Sequence, residues 1–225
     1  MSVVNVLAID TATEQCSVAL SRGTQCIERC VQTPRGHAEL VLPMVQELMA
    51  EAGLNFTQLN AIAFGRGPGA FTGVRIAIGV AQGLAFAADL PLLPVSDLAA
   101  VAQQATVPAG ARILVCMDAR MGEVYTGLFS MGADGLVDSH GDEQVCPPER
   151  VTVPANDLTL GLGTGFHAYQ TLRERYGVLT LDDHALPRAR DIARLGVRDW
   201  RAGRAVRAEL AALVYLRDQV VHVKT

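Results

Sequence analysis

The chain has 225 residues, half of them hydrophobic, and a mean hydropathy of +0.24, which allows one large or two small domains with real cores and excludes a disordered chain. A net charge of −4 and a pI near 5.7 argue against strong nucleic-acid binding by the chain alone. The five cysteines follow neither a C-x-x-C nor a zinc pattern, so they read as reduced thiols of a cytoplasmic protein.

The start, MSVVNVLAID, lacks a basic n-region and a small-residue cleavage site, so no signal peptide is expected. Residues 3–10 are nearly all apolar and often β-branched, which predicts a strand covered on both faces. A turn at Asp10-Thr11-Ala12-Thr13 leads to a strand over 16–20. A turn at Ser21-Arg22-Gly23-Thr24 leads to a third over 25–31, completing a meander. After the loop Thr33-Pro34-Arg35-Gly36, residues Leu40, Met44, Val45, Leu48 and Met49 recur at helical spacing. They predict a helix over 38–52 that starts late or kinks at Pro43. Residues 59–64 read as a buried strand, followed by the turn Gly65-Arg66-Gly67-Pro68-Gly69 and a long helix over 72–88. The stretch 76–93 approaches the roughly 18 residues of a membrane span. It carries Gln82 and Asp89 and is broken by Pro91 and Pro94, so it reads as a buried helix and then a strand over 92–95. Ser96 caps a helix over 97–104.

Then the pattern restarts. RILVCMD at 112–118 reads like NVLAID at 5–10, with Asp10 and Asp118 at the same place at the end of a buried strand. A turn over 119–122, a strand over 124–130 and a turn over 132–135 follow. Next come a strand over 158–162, the turn Gly163-Thr164-Gly165, helices over 167–176 and 189–201, and an apolar tail over 210–223 that packs back. The expected class is α/β, built from two similar subdomains. The first spans 1–104 with 208–225. The second, shorter and less regular, spans 105–207.

Three segments resemble the TsaB family, also called YeaZ: VLAIDTATEQCSVAL at 6–20, FGRGPGAFTGVRIAIGVAQGLA at 64–85 and DARMGEVYTGLF at 118–129. The tail VYLR at 214–217 also fits, with Leu213 standing where the family usually has proline. The resemblance implies an ASKHA (actin-like ATPase, RNase H-like) fold of two duplicated subdomains. It implies a non-catalytic subunit that forms a heterodimer with the paralogue TsaD and works with the ATPase TsaE. That complex forms N6-threonylcarbamoyladenosine at position 37 of tRNAs that read ANN codons. On this reading tRNA is reached through the complex, no membrane is involved, and ATP and a metal ion are used by the partner subunits, with no cofactor bound by this chain alone. Homodimerisation of the isolated chain through the same surface stays open.

The residues bear on that reading one chemistry at a time. TsaD relatives use an H-x-x-x-H pair, two imidazoles one helical turn apart that grip one ion. Here His37 is followed four residues on by Val41, and His140, His167, His184 and His222 are scattered, so no metal site is expected. In ASKHA kinases the turn after the first strand brings backbone N–H groups to phosphate. Asp10, Thr11 and Thr13 keep the acid and hydroxyls, but Ala12 stands where glycine would help, and Asp118-Ala119-Arg120-Met121 has neither glycine nor hydroxyl. Asp10, Thr11, Thr13, Gly163 and Gly165 are therefore candidate nucleotide contacts, the last two equally readable as a tight strand-to-helix turn. No G-x-S-x-G elbow or recognisable cysteine-peptidase context is present, and Cys16 and Cys116 lie in or beside strands. The alternatives, an ATP-dependent small-molecule kinase on the same fold or a peptidase, are thereby disfavoured, and no catalytic residue is assigned. The helix over 72–88 is apolar around its circumference, and Gly79 and Gly83 each cost it about 1 kcal/mol relative to Ala. Val74, Arg75, Ile78, Gly79, Gln82, Gly83 and Phe86, with Leu40 and Met44 of the preceding helix, are the candidate partner interface, unless the subdomain itself covers them. The run Arg188, Arg190, Arg194, Arg198, Arg201, Arg204 and Arg207 reads as a solvated face paired with Asp191 and Asp199, or as a contact to tRNA phosphates.

Overall fold

The computed structural model describes residues 3–153, 157–176 and 180–217. Strand β1 (Asn5–Asp10) is the centre of the first half. It pairs antiparallel with β2 (Gln15–Arg22) and parallel with β4 (Ala61–Gly65), and Val6 to Asp10 are all buried. A strand with neighbours on both edges and helices on both faces has no polar side, which is why its sequence runs apolar without alternation. With β3 (Gln25–Gln32) and β5 (Leu92–Val95) the sheet order is β3-β2-β1-β4-β5. Helices α1 (His37–Glu51) and α2 (Phe71–Ala88) cover one face. Leu7, Ile9, Val18, Ile62 and Phe64 pack there with Val41, Leu48, Ala77 and Ala81. Helix α1 begins at His37 and runs through Pro43, which sits on its exposed side, so the expected late start is corrected.

The second half repeats the plan. Strand β6 (Arg112–Asp118) pairs antiparallel with β7 (Val124–Met131) and parallel with β10 (Leu160–Leu162). With β8 (Val137–Ser139) and β11 (Thr180–Asp182) the order is β8-β7-β6-β10-β11, the same connectivity as the first sheet, and β9 (Gln144–Cys146) adds to β7. The helix expected over 167–176 is two pieces, α4 (Gly165–Ala168) and α5 (Gln170–Tyr176). The break falls at Tyr169, whose extended backbone (φ −126°, ψ 109°) accompanies a hydroxyl that donates to Asp118 Oδ1 at 3.0 Å.

Between the two sheets lie α3 (Asp97–Ala102) and α6 (Ala189–Arg201). Ser96 caps α3 as expected, its Oγ accepting from Ala99 N at 3.1 Å. One core runs through this layer, from Val6, Ala8, Ala63 and Leu93 through Leu98, Ile192 and Ala193 to Ile113, Val115 and Phe129. Helix α6 thus returns to the first sheet. Ala189 N donates to Ser17 Oγ at 2.9 Å, and a Cβ on Gly196 would stand 2.9 Å from that of Ala63. Within the expected second unit of 105–207, the sheet ends at β11 and the last helix, α6, packs on both sheets. Beyond α6, Val206 pairs with Leu92 and closes the β5 edge, which would otherwise offer unpaired backbone groups. Ala208 and Ala211 pack near α2, and Val214 N donates to Arg66 O at 2.9 Å, so the described part of the tail lies against the first half. Its stretch 218–223 lies outside the described residues.

Gly196 fixes the spacing of α6 on β4. Gly196→Val places a branched side chain where one Cβ already touches Ala63, and overpacking of this kind costs about 1–3 kcal/mol. Thermal or urea unfolding should show that loss, whereas Gly203→Val, where a Cβ would meet nothing, should lose only what its positive φ of 70° imposes.

Candidate functional site

The turns after β1 and β6 face one cleft of about 940 Å³ between the two halves. Each turn is tied in the same way. Asp10 Oδ1 accepts from Ala12 N at 2.9 Å, and Asp118 Oδ1 accepts from Arg120 N at 2.8 Å. The duplication therefore extends from the sheets to the acidic turn that ends each first strand. The cleft walls come from the start of α1 (Gly36, His37), the start of α2 (Ala70, Thr72), Thr164 and His167.

The two acids differ in surroundings. Asp118 is ion-paired with Arg120 at 3.1 Å and borders the cleft. Asp10 is fully buried beside Asp97, itself fully buried. A Cβ on Gly65 would collide with both carboxyls, so they meet over a position only glycine can fill. Asp97 Oδ2 accepts from Gly67 N at 2.5 Å. One oxygen of each carboxyl, Asp10 Oδ2 and Asp97 Oδ1, has no other partner. Burial raises Asp10 to about 6, and burial followed by the Asp10 charge raises Asp97 well above the usual carboxylate range. Two carboxyls this close and this dry hold one proton between them.

Of the candidate nucleotide contacts, the structure leaves two at the cleft, Thr11 and Thr13. Thr11 Oγ1 is already used, donating to Gly73 O at 2.7 Å. Asp10 is sealed below the cleft surface. Gly163 (φ +107°) and Gly165 are buried against Cys116 O, where a Cβ would stand 2.5 and 2.8 Å away. These glycines bring the β10–α4 turn onto β6, and Thr164 between them is the residue that reaches the cleft, its Oγ1 accepting from Asp118 N at 3.1 Å. The buried thiols are inert: burial pushes Cys16 to about 11 and Cys116 to about 12.

Helix α2 seats a stripe of small residues, Gly73, Ala77, Ala81 and Ala85, on the sheet. The opposite stripe faces outward. Arg75, Gly79, Gly83 and Phe86 are exposed, and nothing lies within 4 Å of where a Cβ on Gly79 or Gly83 would stand. Phe71 and Phe86 are 57% and 64% exposed at the two ends of the helix, and Arg75 lies over the Phe71 ring at 3.3 Å. Ile78 and Leu40 are half-buried. Val74 and Met44 turn inward, because the chain covers the first beneath the 66–69 loop and the second beside Cys16. Gln82 is tied within the chain, its Nε2 donating to Ala208 O at 2.9 Å. Among the described residues α2 is also the one helix long and apolar enough to cross a membrane.

The arginine run is largely neutralised in place. Arg188 pairs with Asp191 at 2.7 Å, Arg190 with Glu28 at 3.5 Å, Arg198 with Asp138 at 3.0 Å and Arg204 with Asp199 at 2.5 Å, while Arg207 pairs with Glu209. Histidine spacing hid one grouping: His167 and His184, distant in sequence, meet Asp183 at the cleft mouth. The signal for it was the parallel placement of β10 and β11, which brings the loops after both strands together.

Two five-strand orders of identical connectivity, an acidic turn after each first strand and a cleft between them define an actin-like ATPase (ASKHA) fold. Residues 31–176 match the family TsaD, tRNA N6-adenosine threonylcarbamoyltransferase. The chain is 42% identical to the tRNA threonylcarbamoyladenosine biosynthesis protein TsaB of Escherichia coli (strain K12), over 97% of each chain. It is 41% identical to the protein of the same name from Haemophilus influenzae, covering 100% of this chain and 98% of that one. A crystal structure of an uncharacterized protein with similarity to peptidase YeaZ, from Pseudomonas aeruginosa, superimposes with a TM-score of 0.88 at 47% identity, over 95% of this chain and 100% of that one. The chain belongs to the TsaB (YeaZ) family.

The Asp10–Asp97 pair gives stability a definite pH dependence. Both carboxyls are raised in the fold, so above about pH 4 the native state holds protons that the unfolded chain has released, Asp10 up to about pH 6 and Asp97 beyond it. Stability from this pair is therefore greatest in acid and falls as pH rises through that window, by an amount on the order of 3 kcal/mol for Asp10. In Asp97→Asn the amide can still accept from Gly67 N and donate to Asp10. Denaturant unfolding of this variant should show a flatter profile from pH 4 to 8 and a gain at the alkaline end. A profile as steep as the parent's would remove the pair as its source.

Proposed function

We propose that this chain is a non-catalytic subunit of the machinery that forms N6-threonylcarbamoyladenosine at position 37 of ANN-reading tRNAs. It acts in the cytoplasm by docking the outward stripe of α2 on a TsaD-type paralogue, with a TsaE-type ATPase completing the complex. The observation that carries the docking surface is the open space at Gly79 and Gly83. Glycine in a helix interior is costly, and an apolar helix face with glycines one turn apart suits close approach by a second helix. The names of the E. coli and H. influenzae relatives support the pathway, and the match to the TsaD family supports a paralogous partner of the same fold.

Three features support a non-catalytic role. Val41, four residues after His37, is fully buried and cannot ligate, and the His37 ring instead bonds Thr13 O at 2.9 Å. Asp10, the acid that would face phosphate in a kinase of this fold, is sealed with Asp97. Cys16 and Cys116 are neutral thiols in strands.

Gly83→Arg tests the reading. The residue is exposed and unopposed, so the variant should melt like the parent, within the roughly 0.5 kcal/mol of an ordinary surface change. Docking would bury an unpaired guanidinium at a cost of several kcal/mol, so co-purification with a TsaD relative and threonylcarbamoylation by the reconstituted complex should be lost together. A folded variant that still binds the partner and supports full activity would refute the surface. If the isolated chain is a dimer by sedimentation and the same variant is a monomer, the two partners share the stripe.

A further inference from the structure

We propose that His167, Asp183 and His184 form a binding site for one divalent transition-metal ion at the mouth of the interdomain cleft. The argument starts from topology. Strands β10 and β11 are parallel neighbours, so the loops after them emerge side by side at the carboxyl end of the second sheet. The first loop carries His167 on α4, held by the Gly163-Thr164-Gly165 turn against β6. The second carries Asp183 and His184. All three side chains line the cleft, and their donor atoms lie within 4.8 Å of one another.

The geometry suits a shared ion better than a chain of ion pairs. His167 Nδ1 lies 3.5 Å from Asp183 Oδ2, and His184 Nε2 lies 3.6 Å from Asp183 Oδ1. Ligands held at about 2.0–2.2 Å from zinc stand about 3.3–3.6 Å apart at a tetrahedral centre. With Oδ1 as the ligand, the separation to His184 already matches, while His167 faces the other oxygen of the same carboxylate. The imidazole rings stand 4.8 Å apart and tilted by 43°, and rotation of these two exposed side chains would bring both onto the one oxygen. The carboxylate is fixed from behind. Arg173 bonds Asp183 Oδ2 through Nη2, while its Nε donates to Phe166 O at 2.8 Å, so Oδ1 is left as the ligating oxygen. A donor on the outer oxygen of a ligating carboxylate is a common outer-shell arrangement.

Two imidazoles and one carboxylate favour zinc, nickel, cobalt or iron(II) over magnesium and calcium, which take oxygen ligands. The side chains of His167 and His184 are 62% and 76% exposed, and that of Asp183 is 16% exposed. Remaining coordination positions thus open to solvent and to the cleft, where an oxygen ligand could join.

Calorimetric titration of the full chain with zinc chloride tests the site. One ion per chain is expected near neutral pH, with binding at least about tenfold weaker in His167→Ala and in His184→Ala. Both positions are exposed, so the metal-free variants should melt like the parent, and added zinc should raise the melting temperature of the parent alone. Cobalt(II) distinguishes the ligands: imidazole and carboxylate give d–d bands without the thiolate charge-transfer band that Cys26, Cys30 or Cys146 would add. Undiminished affinity in both variants, a thiolate band, or no bound ion at a roughly tenfold excess of zinc would overturn the proposal.

Discussion

No side chain can stand between the β4–α2 loop and the turn after β1, and much of the molecule follows from that closeness. A Cβ on Gly69 would lie 2.6 Å from Ala12 O, and one on Gly73 would run into Thr11 O. Ala70 N donates to Ala12 O at 2.7 Å, so the two segments join backbone to backbone. The join fixes the start of α2 at the cleft and directs its axis along the sheet. Its stripe of glycine and alanines can then lie flat on β4, leaving the larger residues outward. The same closure, continued at Gly65, shuts Asp10 and Asp97 away from water. The glycines of this turn and of the start of α2 serve to bring one loop onto another.

Much of this was legible in the residues. The apolar run of β1, its echo in β6, the cap at Ser96 and the outward glycines of α2 all carry local signals strong enough to survive tertiary packing. What escaped depended on contacts between distant segments. Nothing in QTLRERY or its neighbours announces that Tyr169 breaks a helix to reach Asp118, and the short strands β8, β9 and β11 have too few residues to show a period. Asp97 stands in the first turn of the helix that Ser96 caps, a common place for an acid. Its role as the second half of a buried carboxyl pair emerges only once β1 and β4 bring Asp10 alongside.

The two halves share a plan and have diverged in use. The first carries long helices outside its sheet and a sealed acid. The second carries short helices, a partly exposed acid paired with Arg120, and the histidines of the cleft mouth. Thr164 and Tyr169 bond Asp118 from the second half's own chain, while Asp10 is held by the first. The cleft is therefore asymmetric, the acid of one side buried and that of the other tied to local partners.

The return of α6 sets an order of assembly. The inner face of the first sheet, formed by Val6, Ala8, Ala63 and Leu93, is covered by Ile192 and Ala193. During synthesis the five strands of that sheet leave the ribosome long before their covering helix. Until Ala189 to Arg201 emerge, an apolar sheet face stays open to water and to whatever chaperone or neighbouring chain is at hand. The first half by itself therefore leaves this face uncovered, and a nascent chain that ends within the second half carries a nearly complete sheet without its lid.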